Sequence, residues 1–271
     1  MKLSDFSNHI LLNGSIEDKL TEFSSIEFDH DIASDIPKLP IRNQNISFSS
    51  NVVKFPRGHF HEKEKKAIAL HSFANHELLA IEMMACALRI FPHHNEELKR
   101  FKRGILSSLK DEQKHFKLYC EQLNKLGYEF GDFDLNDFFW NQMKNLDTPQ
   151  KYLAVMSLTF EAANLDFAHF YKHIFLELGE IEIADVLNTV LVDEISHVNL
   201  GVHYLNKWKQ DKTLWEYYNE NLPWPLTPAR SKGKNFIEEV RRKASMDDDF
   251  IFNLKNFDDQ FKITTRKEWK K

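Results

Sequence analysis

The sequence predicts an all-α fold: a four-helix bundle with a long crossover between its second and third helices, carrying N- and C-terminal extensions. Three observations lead there. Gly and Pro number only 8 each in 271 residues, which favours long helices over a many-stranded sheet. Four long stretches place apolar residues at spacings of three and four. The links between these stretches run short, long, short, and an up-down bundle has no use for a long central link.

Residues 1–60 are turn-rich, with Asn13-Gly14 and Ile36-Pro37-Lys38-Leu39-Pro40, and read as an irregular arm with short pieces of structure. The bundle is expected over residues 61–209. Its first helix, about 61–91, carries Ala67, Leu70, Phe73, Ala74, Glu77, Leu78, Ile81, Met84 and Leu88 in helical register, and Pro92 stops it. The second runs from about 95 to 126, with Gly127 as a left-handed cap. Thr148 as N-cap and Pro149 at the first helical position open the third, which ends before Gly179. The fourth follows at about 181–209. A helix of 30 residues is ~45 Å long. The aromatic link at 128–147 reaches ~66–72 Å when extended, so it can cross the whole bundle and leave helices two and three parallel. Residues 210–271 form a C-terminal helical extension: a short helix at Leu214–Asn219, a rigid Leu222-Pro223-Trp224-Pro225 segment, a helix at about 233–245 and an aromatic tail.

Bulk composition narrows the classes. A net charge of −5 argues against a surface built to bind phosphate, so nucleic acid is not an expected partner. Cys86 and Cys120 lack metal-type spacing and read as small buried apolar groups, with no call for an oxidising compartment. The N-terminus lacks the apolar run of a signal peptide, and no stretch approaches the ~20 apolar residues of a membrane span, so a cytoplasmic protein is expected, as a monomer or small homo-oligomer.

Two Glu-x-x-His motifs carry the chemistry: Glu112-Gln113-Lys114-His115 and Glu194-Ile195-Ser196-His197. Each pair shares a helix face. A lone Glu precedes each at matched distance, Glu77 (112−77 = 35) and Glu161 (194−161 = 33). All lie among apolar residues, where unpaired carboxylates would cost several kcal/mol each. Four glutamates supply −4, which two divalent cations balance; neutral imidazoles add nothing. Carboxylate oxygen with imidazole suits iron, or manganese and mixed Fe/Mn, for redox work. Asp111 and Asp193, preceding the two motifs, are candidate hydrogen-bond acceptors for the ligand imidazoles.

On these residues the chain resembles the ferritin-like diiron-carboxylate superfamily, and within it an uncharacterised bacterial ferritin-like family. The resembling stretches are His76-Glu77-Leu78, Asp111 to Phe116, Leu158-Thr159-Phe160-Glu161-Ala162-Ala163-Asn164 and Asp193 to His197, together covering roughly 61–209. The resemblance implies a ferritin-like bundle. It implies Glu112 and Glu194 as bridging carboxylates, Glu77 and Glu161 as terminal ones, and His115 and His197 as nitrogen ligands of two metal ions. The superfamily spans iron stores, peroxidases, ribonucleotide reductase small subunits, desaturases, a tRNA-modifying hydroxylase and amine oxygenases, so it specifies the site better than the reaction.

The extensions beyond the bundle favour an enzyme that shapes a substrate channel: a nonhaem diiron oxidoreductase using dioxygen, with an external electron donor, to hydroxylate or oxidise a small organic substrate. Iron handling, as a ferroxidase or peroxide scavenger, is the alternative; a tRNA-hydroxylase-like role and a metal-stabilised adaptor are further ones. Ala80, Ser108, Ala154, Ser157 and Gly201 gather small residues at one end of the expected bundle, either beside a pocket or in ordinary large-against-small packing. Tyr119 reads as a hydrogen bonder, a radical relay or a packed core residue. Asn164 stands three after Glu161, placed to bond a ligand or substrate, or equally to make a plain polar core contact. His169 and His173 read as surface residues or an extra ligand; His59, His61, His93 and His94 read as solvent-exposed. Arg230, Lys232, Lys234, Arg241, Arg242 and Lys243 form a basic cluster read as a solvated helical face, with anion or RNA binding as the sharper alternative.

Overall fold

The computed structural model describes residues 1–29, 35–51 and 53–259. Among these, every regular element is helical, with isolated bridges (Lys2 with Glu27, Phe48 with Leu135) in place of a sheet. No helix among the described residues is long and apolar enough to cross a membrane. The chain forms two compact units, residues 1–144 with 174–189, and residues 145–173 with the chain from 190 onward.

In the first unit, α3 (Lys63–Ile90) and α4 (Glu96–Lys125) form an antiparallel hairpin. Phe91 meets Phe101 near the turn, and Phe73 meets Tyr119 further along. The Asn95 side chain accepts from Leu98 N–H at 2.8 Å and starts α4, with Glu96 and Glu97 favourably placed at the positive end of the helix dipole. Gly127, at φ +71°, ends it as expected. The arm expected to be irregular contains α1 (Leu3–Leu12), which buries Phe6, Ile10 and Leu11 and packs on α3. The short α2 (Ile16–Lys19) opens with a Ser15/Asp18 capping box. Lys19 closes it, fully buried, and donates to the Ile10 and Ile41 carbonyls. Glu82 of α3 compensates two cations there, Lys19 at 3.2 Å and Arg42 at 2.7 Å, and so clamps the arm to the hairpin. Burial holds the Lys19 ammonium below its ordinary pKa in spite of Glu82.

The aromatic link packs along α3. Phe130 stacks on His71, the Asn136 carbonyl accepts from Asn75, and Phe139 stacks on His76. It therefore runs back along α3, against the direction of α4.

In the second unit, Thr148 caps α5 (Pro149–Val155), accepting from Lys151 N–H at 3.3 Å, with Pro149 at the first position. A π-helical turn, Met156–Glu161, follows, then α6 (Ala162–Glu177). The part of α7 (Ile181–Trp208) in this unit lies antiparallel to α6: Asn164 meets Glu194, and Ser157 meets Gly201. A Cβ added at Gly201 would collide with the Ser157 side chain, so these two small residues pack tightly against each other. Beyond α7 come α8 (Leu214–Asn221), a 3₁₀ turn at Pro228–Ser231, α9 (Glu238–Lys243) and α10 (Asp248–Asn256). The helix expected over 233–245 begins only at Glu238, because residues 233–237 bend around Asp166, whose carboxylate accepts from Gly233 and Ile237 N–H. Residues 260–271 of the aromatic tail lie outside the described residues.

Candidate metal centre

Each unit buries one triad of two carboxylates and one imidazole. In the first, Glu77 comes from α3, and Glu112 and His115 from one face of α4. His115 Nδ1 lies 3.7 Å from Glu112 Oε2 and 3.9 Å from Glu77 Oε2, and all three residues are buried. Each offers a ligand atom within 4.8 Å of the others. Burial, and then the Glu112 charge, push the Glu77 carboxyl well above the usual carboxylate range. Without a cation this geometry is unfavourable; with one it is a ligand set.

That shift has a sign that can be measured. A carboxyl held above its unfolded pKa contributes its full stability below the ordinary carboxylate range. The contribution is lost as pH rises through the raised value, because the native state holds the proton more tightly. In chelator, Glu77→Gln is therefore expected to be more stable than the wild type at pH 8, with the gap closing toward pH 4.5. Added Fe²⁺ or Mn²⁺ should reverse the order at pH 8. Thermal denaturation of both proteins in both conditions reads this directly.

In the second unit, Glu161 ends the π turn, and Glu194 and His197 share one face of α7; their ligand atoms also lie within 4.8 Å of one another. His197 Nδ1 is 3.3 Å from Glu194 Oε2. Asn164 Nδ2 donates to Glu194 Oε1 at 2.8 Å, leaving Oε2 buried without a hydrogen bond. Asn164 thus bonds a candidate ligand, a contact that fits both its ligand-bonding and its polar-core readings.

The π turn inserts an extra residue into the helix just before α6, and single π turns of this kind concentrate at functional sites. It is held by side chains. Thr159 Oγ1 donates to the Ala154 carbonyl, five residues back, at 2.7 Å, and lies 2.9 Å from the Tyr218 hydroxyl, which in turn reaches Ser231 Oγ at 2.6 Å. Burial pushes the Tyr218 phenol up to about 12, so it stays a neutral hydrogen bonder. Tyr218→Phe removes both contacts to its hydroxyl and is expected to cost about 1–3 kcal/mol in urea unfolding.

Other expectations resolve individually. Tyr119 is a packed core residue, 2% exposed, with its ring 5.4 Å from Phe73. Asp111 and Asp193 are half-buried, and Asp111 lies 3.7 Å from Lys114 on its own helix. His59, His61 and His94 are exposed as expected, but His93 is not. It is 7% exposed, bonded to the Asp29 carbonyl at 2.6 Å and to buried Lys102 at 2.8 Å. His173 is exposed and His169 half-buried, their Nε2 atoms 3.3 Å apart. Cys86 is buried, whereas Cys120 is only partly so; desolvation pushes both thiols up to about 12.

The basic cluster is not one surface. Arg241 is fully buried and grips Asp166 with two bonds of 2.7 and 2.9 Å. Arg242 pairs with Glu238 and Asp248, Lys243 with Glu239, and Lys232 donates to the Lys255 and Phe257 carbonyls. Arg241 is therefore no part of a solvated helical face. Sequence reasoning missed Asp166, Thr159, Tyr218 and Ser231, whose only visible signal is polar character inside apolar stretches.

Comparison with known proteins places the chain in a family. Residues 8–252 match the model described as "Protein of unknown function (DUF455)", and the chain belongs to that family. It is also 27% identical over 164 residues to an "Uncharacterized protein" of Haemophilus influenzae (strain ATCC 51907 / DSM 11121 / KW20 / Rd). That alignment covers 59% of this chain and 57% of the relative's own length. No solved structure matches.

Proposed function

We propose that this DUF455-family chain is a dimetal oxidoreductase, with iron as the metal before manganese, that uses dioxygen to hydroxylate or oxidise a small organic substrate. The observation that carries the reading is the twofold one: each unit buries two carboxylates against one imidazole, on the helical spacing that metal ligation needs. In this reading the six residues Glu77, Glu112, His115, Glu161, Glu194 and His197 act as one centre in a ferritin-like four-helix bundle over residues 61–209. The −4 of the carboxylates then meets the +4 of two divalent ions. Bound there, the metals would supply the electrons that reduce dioxygen.

The remaining chemistry belongs to the chain. Asn164 donates to one oxygen of Glu194 and fixes the carboxylate's orientation, leaving a lone pair on that oxygen and the whole of Oε2 for the two ions. Asp111 and Asp193 are assigned as acceptors that orient the ligand imidazoles. The Tyr218–Thr159 bond holds the turn that presents Glu161. The apolar surroundings exclude water, and an external donor returns the electrons.

The test is metal analysis of protein from iron-supplied culture, followed by anaerobic reconstitution and rapid mixing with dioxygen. About two irons per chain, a transient visible absorption and oxygen uptake that rises with an organic substrate support the proposal. Iron uptake with no substrate dependence, in a multi-subunit shell, points to iron handling instead. Properly folded protein with no metal overturns the centre itself.

A further inference from the structure

We infer that His59, His61 and Glu62 form a surface site for a divalent cation of the zinc type, independent of the buried triads. The three side chains each offer one ligand atom, and these atoms lie within 4.8 Å of one another. His59 Nδ1 is 3.6 Å from Glu62 Oε1, and the two imidazole rings are 5.8 Å apart, centre to centre.

The backbone gathers them. Phe60, between the two histidines, is 5% exposed and seats its ring 6.4 Å from that of Phe55 and 5.7 Å from that of Phe175. With this anchor buried, its neighbours turn outward. His59 adopts φ +62°, a left-handed conformation that His tolerates better than most side chains, and Glu62 N–H donates to the His59 carbonyl at 3.0 Å. The turn thus brings residue 62 back beside residue 59. Glu62 stands at the N-cap of α3, yet its carboxylate makes no capping bond and is free to serve as a ligand. Neither imidazole makes a hydrogen bond among the described residues, and the His59 and Glu62 side chains are 73% and 49% exposed.

Two imidazoles and one carboxylate are the donor set of an open zinc site, with the fourth tetrahedral position left to water. Zinc–nitrogen and zinc–oxygen bonds of about 2.0–2.2 Å need the ligand atoms closer than they stand. Rotation of exposed side chains supplies that movement without moving backbone. Softer thiolate-seeking ions and oxygen-seeking Mg²⁺ or Ca²⁺ suit this set less well.

The experiment counts zinc after dialysis of the full chain against buffered Zn²⁺, beside a His59→Asn/His61→Ala double variant. Asn is chosen at 59 because it accepts the left-handed backbone. The wild type is expected to retain about one zinc per chain more than the variant, whatever the buried triads hold, and a His169→Ala/His173→Ala control should match the wild type. Equal zinc in wild type and the 59/61 variant, with circular dichroism showing both folded, overturns the site. Loss of the extra zinc in the 169/173 control instead also overturns it.

Discussion

Glu194→Ala is expected to empty the whole centre, leaving protein from iron-supplied culture with under about one-tenth of the wild-type metal. In the proposed centre Glu194 would serve both ions, so its loss would remove a ligand from each and unbalance the charge of what remains. Glu112→Ala should do the same from the other unit. If the two triads were separate single-metal sites, Glu194→Ala would remove only one metal and leave the Glu77/Glu112/His115 site loaded. Metal counts on the two variants decide between these outcomes. Asn164→Ala is the milder companion. It frees Glu194 Oε1 rather than deleting a ligand, and a 10–100-fold weaker metal affinity is expected. Loss of folding is separated from loss of metal by circular dichroism in chelator, where Glu194→Ala, having one fewer buried carboxylate, should be at least as helical as the wild type.

Asp166→Ala is expected to cost about 3–5 kcal/mol in urea unfolding, the largest stability effect of any single change considered. Asp166 and Arg241 are both fully buried. The carboxylate accepts two bonds from the guanidinium and one each from Gly233 and Ile237 N–H. Its removal leaves a cation in the interior without a counter-charge, facing the Phe236 ring and the carbonyls of Ala162, Ser231 and Ile237. Removing the guanidinium as well, in Asp166→Ala/Arg241→Met, should recover much of the loss, because a buried ion pair costs far more to break than to replace. A change under about 1 kcal/mol for Asp166→Ala would show that the pair is solvated in solution.

The helices on either side of this pair were legible in different degrees. Those carrying the six candidate ligands were read to within a few residues, since caps such as Asn95 and Thr148-Pro149 and stops such as Gly127 and Gly179 act through neighbouring backbone. The C-terminal extension was read less well. Arg241 sits among Arg and Lys in sequence, and nothing local distinguishes it from the exposed Arg242 beside it. Only Asp166, 75 residues away, selects it for burial. His93 was misread for the same reason: its partners are Lys102 and the carbonyl of Asp29, 64 residues earlier. The π turn was invisible because a widened turn has no composition of its own; it is held by a bond from Thr159 to Tyr218, 59 residues on.

What the sequence by itself determined is therefore the helical class, the order and ends of the long helices, and the pairing of a Glu with a His one turn on. These depend on backbone hydrogen bonds and side-chain directions within a few residues, which the local order of amino acids dictates. Only the tertiary structure decided which charges are buried, which polar side chains hold the candidate ligands, and that small residues at Ser157 and Gly201 meet in contact. Those outcomes rest on desolvation and on partners far apart in the chain, and the free energy of a charge is set by what finally surrounds it.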